Sequence, residues 1–84
     1  MIFKIVYSEI NSPSEIISAT TLNGSTGVRA VNCSPKPAEV TITLDGNHKT
    51  ITLCPNESIV LKKGHQEKVY SSTNLIRIAG VSIY

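Results

Sequence analysis

Two short segments, Glu39-Val-Thr-Ile-Thr-Leu44 and His48-Lys-Thr-Ile-Thr-Leu53, alternate aliphatic residues with threonine on either side of Asp45-Gly46-Asn47. A period of two is what a strand with one apolar and one polar face requires, and a tripeptide of Asp, Gly and Asn supplies the tight turn between two such strands. The pattern predicts a β-hairpin with Val40, Ile42, Leu44, Ile51 and Leu53 on the core side. Thr41, Thr43, Thr50 and Thr52 form its outer, polar face, where cross-strand Thr pairs contribute about 0.2–1 kcal/mol each.

The same period recurs along the chain. Residues 2–7 predict a strand with Phe3, Ile5 and Tyr7 inward. After the turn cluster Asn11-Ser-Pro-Ser14, the β-branched run Glu15–Leu22 favours a second strand over a short helix capped by Ser14. Asn23-Gly-Ser-Thr-Gly27 predicts a loop, and Val28–Cys33 a strand that ends at Ser34-Pro-Lys-Pro37, where two prolines remove backbone donors. On the parity of Val31, Cys33 points inward. Beyond the hairpin, Pro55-Asn-Glu57 makes a turn and Ser58–Lys62 returns with Ile59 and Leu61 inward, which predicts a three-stranded meander. Val69–Ser71 is a short strand. The last run, Leu75–Tyr84, is apolar on both faces, the pattern of a central strand or of one covered by another subunit.

Strands at spacings of about ten residues, separated by Pro, Gly and Asn, define an all-β fold. The expected architecture is a single β-sandwich domain over residues 1–84 with about seven or eight antiparallel strands, a small β-barrel being the alternative. With 84 residues there is room for one core, and with no Trp and one Phe that core is built from Ile, Val and Leu. Such a sheet protein must hide its edge strands, and a homo-oligomer does so at low cost.

Charge and chemistry narrow the function classes. The net charge of +2, with eight basic residues spread from Lys4 to Arg77, gives no clustered basic face, so no nucleic acid is expected as a partner. No window reaches the roughly 18 apolar residues that span a bilayer, and the first residues lack the pattern of a secretion signal. No membrane association is expected, and synthesis in a reducing cytoplasm leaves Cys33 and Cys54 as unpaired thiols. His48 beside the turn and His65 in a polar loop are expected in solvent. His65-x-Glu67 alone does not make a metal site, the glycines around Ser25 lack the Lys of a phosphate loop, and no Ser stands in a nucleophile elbow. Hence no catalytic residue, metal or cofactor is assigned, and an enzyme is not expected. Lys62, Lys63 and Lys68 are expected as solvated charges that discourage edge pairing. The chain ends, Phe3, Ile5 and Tyr7 with Val81, Ile83 and Tyr84, are the candidate protein interface.

One longer pattern goes beyond fold. Thr50-Ile-Thr-Leu-Cys-Pro-Asn-Glu-Ser-Ile-Val-Leu-Lys62 leads through a polar loop into Val69-Tyr-Ser71 before a last strand. This order of apolar strand, Pro-x-Glu-Ser, aliphatic run into Lys, polar loop and Val-Tyr-Ser resembles the small structural proteins of marine tailed phages, including those of cyanobacteria. Val28-Arg-Ala-Val-Asn32 is similar to the first core strand of that group, so the resemblance covers about half of the chain. It implies a non-enzymatic virion component made in the host cytoplasm. Such a component is a capsid decoration or cement protein, with many copies bound to the major capsid protein, or alternatively a tail or neck part. A carbohydrate- or protein-binding adhesin module is the competing class, although sugar platforms usually need more Trp and Tyr than this chain carries.

Overall fold

The computed structural model describes residues 3–83, with the backbone alone for Phe3 and Ile83. Its strands are β1 (Phe3–Asn11), β2 (Gly27–Asn32), β3 (Ala38–Leu44), β4 (Asn47–Leu53), β5 (Ser58–Lys62), β6 (Lys68–Ser71) and β7 (Ile76–Ile83). All pairings are antiparallel, in a four-stranded sheet of order β1-β7-β2-β5 and a three-stranded sheet of order β4-β3-β6. Both sheets contribute to one core: Val28, Ala30, Ile76 and Ile78 from the first, Val40, Ile42, Leu53 and Val69 from the second. The fold is an all-β sandwich.

The hairpin forms as its period demands. Leu44 pairs with Asn47, so the loop is Asp45-Gly46 alone, with both residues at positive φ (50° and 83°) as a two-residue hairpin turn needs. Pro55-Asn56 makes the expected turn, closed by Glu57 N–H donating to the Cys54 carbonyl at 3.0 Å, with Asn56 at φ 66°. The strand after it does not complete a meander. β5 leaves the hairpin's sheet and pairs with β2, because Asn32 N–H donates to the Glu57 carbonyl (2.9 Å) and Asn56 N–H to the Asn32 carbonyl (2.8 Å). The turn is thereby bound to the opposite sheet.

Three further expectations change. Ile5 is 59% exposed rather than inward, whereas Tyr7 packs on the core. A bulge at Val6 shifts the register, so Ile5 lies opposite Val81 on the outer face and Tyr7 opposite Gly80 on the inner one. Cys33 is exposed because Val28, Ala30 and Asn32 are the inward row of β2. The run Glu15–Leu22 is not a strand: it holds one 3₁₀ turn, Ile16–Ser18, with Glu15 at its N-cap and no side-chain cap, and a single bridge from Thr20 to Val69. Within that connector Leu22 is fully buried at φ 55°, a left-handed conformation that costs about 1–3 kcal/mol in a residue with a Cβ. Its carbonyl rests on Gly80.

Asn32 ties the layers together. It is fully buried, and its Nδ2 donates to the Lys36 carbonyl (2.8 Å) and across the sandwich to the Leu53 carbonyl (2.9 Å), while Oδ1 accepts from Ser34 N–H at 2.9 Å. One residue thus fixes the proline loop after β2 and the end of β4 through its side chain and the turn into β5 through its backbone. Hydrogen bonds of this kind contribute about 1 kcal/mol each. Asn32→Ala is expected to lower unfolding free energy by about 2–4 kcal/mol, and the near-isosteric Asn32→Asp by at least as much, since it sets acceptors against carbonyls. Urea denaturation checks this; an Asp variant with the wild-type midpoint would refute it. A Cβ on Gly80 would lie 2.8 Å from Tyr7 Cβ and 3.1 Å from the Leu22 carbonyl oxygen. Gly80→Ala is therefore expected to destabilise by about 1–3 kcal/mol in the same assay.

Candidate functional site

Among the described residues no group of three His, Cys, Asp or Glu side chains could hold a metal, and every buried side-chain nitrogen or oxygen has a hydrogen-bond partner. Polar side chains are spent on structure. Ser12 and Ser71 share a 2.7 Å hydroxyl contact, and His48 Nδ1 lies 2.8 Å from Thr43 Oγ1. Thr41 and Thr43, expected on a solvated face, are buried because β3 is the centre of its sheet, with Thr50 and Tyr70 beside one and His48 and Lys68 beside the other. Cys33 and Cys54 are both free and exposed.

Lys63 is the one lysine whose environment departs from expectation. It is buried (6% exposed), and its Nζ donates to the carbonyls of Gly64 (3.1 Å) and Glu67 (2.9 Å). The Glu67 carboxylate in turn accepts from Gly64 N–H at 2.6 Å, which closes the loop from Lys63 to Glu67 on itself. Burial lowers the pKa of this ammonium from its ordinary 10.5, and the nearby Glu67 carboxylate opposes the shift. The group is an internal clasp, not part of a solvated basic patch. Lys62 and Lys68 remain exposed.

The surface carries its information in apolar side chains. Ile5 and Val6 on β1 are 59% and 48% exposed, Ile16 and Ile17 on the connector are 53% and 87% exposed, and Leu75 before β7 is 50% exposed. Of the candidate interface residues, Ile5 is therefore available for contact, while Tyr7 is half-buried on the core. Val81 is fully buried: β7 is central, and Val81 lies opposite Ile5 on one side and Gly27 on the other, so its apolar outer face is covered within the chain. Phe3 and Ile83 pair with each other in backbone register, their side chains and Tyr84 falling outside the described residues. Val6, Ile16 and Ile17 were not singled out by the sequence. The adjacent pair Ile16-Ile17 carried a signal, because two neighbouring residues of an extended run cannot both face inward.

Outer-face charges are few and shallow. Glu9 accepts from Arg77 Nε at 2.7 Å and lies 3.5 Å from Arg29 Nη1, bridging three strands of the larger sheet. These groups are more than a third exposed, so the trio aligns strands more than it stabilises them. Two open hollows of about 360 and 320 Å³ lie at Ser34–Ala38 with Leu75, and at the hairpin turn with Ile16 and Lys68. Comparison with family models, curated proteins and solved structures finds no match. The class that the fold itself defines is the small antiparallel β-sandwich.

Lys63→Met keeps the stem and removes the donors to two carbonyls, and is expected to cost about 1–3 kcal/mol. Because the folded pKa lies below 10.5, the unfolded chain binds more protons as pH approaches that value. Wild-type stability should then rise with pH relative to Lys63→Met. Urea midpoints of both proteins at about pH 8 and about pH 10 measure the difference. A difference that shrinks with rising pH would contradict the buried-ammonium account.

Proposed function

We propose that this chain is a non-enzymatic structural protein of a phage particle, a decoration protein that docks on the capsid shell. The observation that carries the reading is the set of aliphatic side chains left in solvent on β1 and on the connector that leaves it: Ile5, Val6, Ile16 and Ile17. None of the four belongs to the core cluster or packs against it, and covering them on a partner yields about 25 cal/mol per Å² of apolar surface. The virion assignment rests on the resemblance of the Val28–Asn32 and Thr50–Ser71 pattern to small marine-phage structural proteins.

Docking of this type acts by mass action. A protein that binds only the assembled shell stabilises it by RT ln(1 + [L]/Kd) at each site, and many copies on a symmetric lattice turn weak contacts into firm ones. The partner is the major capsid protein or a neighbouring virion protein, and the place of action is the virion. A rigid sandwich suits the role, since little conformational freedom is lost on binding.

Ile17→Lys and Ile5→Lys each alter a side chain that the core does not use. Each is expected to leave the thermal midpoint nearly unchanged and to weaken binding to purified shells at least about tenfold, measured by co-sedimentation. Quantitative mass spectrometry of intact particles should find hundreds of copies. About a dozen or fewer would move the assignment to the tail or neck, and clear binding on a glycan array would favour the adhesin class instead.

A further inference from the structure

The two long sides of the sandwich are finished differently. On one side the connector covers β6: Thr20 and Val69 exchange backbone bonds of 3.1 and 2.7 Å, and Ser71 N–H donates to the Pro13 carbonyl at 2.9 Å. β1, the neighbouring edge, is interrupted by two register shifts, which spoil it as a template for pairing. On the other side β4 and β5 end their sheets with unbroken registers and nothing laid over them among the described residues.

β4 is the better template. Pairing with β3 begins at Leu44 and Asn47 beside the two-residue turn, so bonded pairs recur at Lys49, Ile51 and Leu53. The N–H and C=O groups of His48, Thr50 and Thr52 then face the free edge, and no turn or loop bond occupies them. Between β4 and β5 lies a hollow of about 140 Å³ lined by Ile42, Ile51 and Leu61, with Lys49, Thr50 and Lys62 at its mouth. That volume is too small for a drug-sized ligand and suits a single aliphatic side chain. Lys49, with its side chain 78% exposed, has only a 4.0 Å contact to Glu67, and no described carboxylate lies within ion-pair distance of Lys62.

From these we infer that the β4 edge takes an extended segment of a partner protein, added as a further strand, with one aliphatic side chain in the hollow and acidic residues two positions away. Side chains two apart share a face, so an acid at that spacing meets Lys49 as the aliphatic residue enters between Ile51 and Leu61. A second copy of this chain is the less suitable occupant, because it would bring a second Lys49 and Lys62 to the same mouth. The inference does not depend on the virion reading and is tested on the isolated protein.

The probe is the capped peptide Thr-Glu-Thr-Leu-Thr-Glu-Thr, titrated into the isotope-labelled protein and followed by amide chemical shifts. Shifts confined to His48–Thr52 and Ser58–Lys62 are expected. Reversing both charges in Lys49→Glu/Lys62→Glu should weaken binding at least about tenfold. The same variant should instead bind the peptide with Lys in place of Glu. Thr50→Pro, at an edge position whose N–H faces outward and where Pro is tolerated, should abolish binding while the rest of the spectrum is retained. No binding, binding indifferent to the charge reversal, or shifts centred elsewhere would overturn the proposal. So would β4 shifts that depend on protein concentration without peptide, which would assign the edge to a second copy.

Discussion

The sandwich depends on one buried amide. Asn32 sits where two chain reversals meet: its side chain holds the proline loop after β2 and the end of β4, and its backbone holds the turn that leads from β4 into β5. Apolar contact between sheets is nondirectional and tolerates sliding, whereas a fully buried side chain that donates across to the Leu53 carbonyl while two further bonds fix it to its own loop favours one placement of sheet upon sheet. The route of the chain follows. With Glu57 bound to β2, the strand after the hairpin joins the larger sheet, and β4 is left as an edge.

At the other end, Lys63 closes its own loop, and the connector from Ser12 to Leu22 seals β6 before Leu22 inserts into the core against Gly80. Each device satisfies backbone groups that a two-layer sandwich would otherwise leave open. The connector closes one side of the sandwich and leaves β4 and β5 bare on the other. Both proposals rest on this asymmetry: the closed side displays the exposed aliphatic residues of β1 and the connector, and the open side displays the free backbone of β4 beside Lys49 and Lys62.

Local rules were legible in the sequence wherever the cause was local. The alternation of Val40–Leu44 with Ile51 and Leu53 and the turn at Pro55-Asn-Glu57 follow from side-chain period and φ preference and are present, as is the turn expected at Asp45-Gly46-Asn47, which narrows to Asp45-Gly46 because Asn47 already pairs with Leu44. What failed to show depends on distant partners. The inward row of β2 includes Asn32, whose polarity hides its burial, so parity read from Val31 and Cys33 came out inverted. The bulge at Val6 has no marker in Phe3–Tyr7, yet it sends Ile5 outward and Tyr7 inward. Thr41 and Thr43 are buried because β3 gains β6 as a second neighbour, a strand distant in sequence. For the same reason the interface residues expected at both chain ends divide: Ile5 is exposed, and Val81 is covered by strands on either side of β7.

A lock at Asn32 and a sealed β6 edge hold a sandwich whose β4 edge is free, and amide hydrogen exchange measures all three at once. Asn32, Ser34 and Asn56, with Thr20 and Val69 at the seal, are expected to exchange only through global opening, while His48, Thr50 and Thr52 exchange from the native state many orders of magnitude faster. Protection of Ser34, held by the Asn32 side chain, and of Asn56, held by its carbonyl, as weak as that of Thr50 would contradict it, since Asn32 would then be holding nothing.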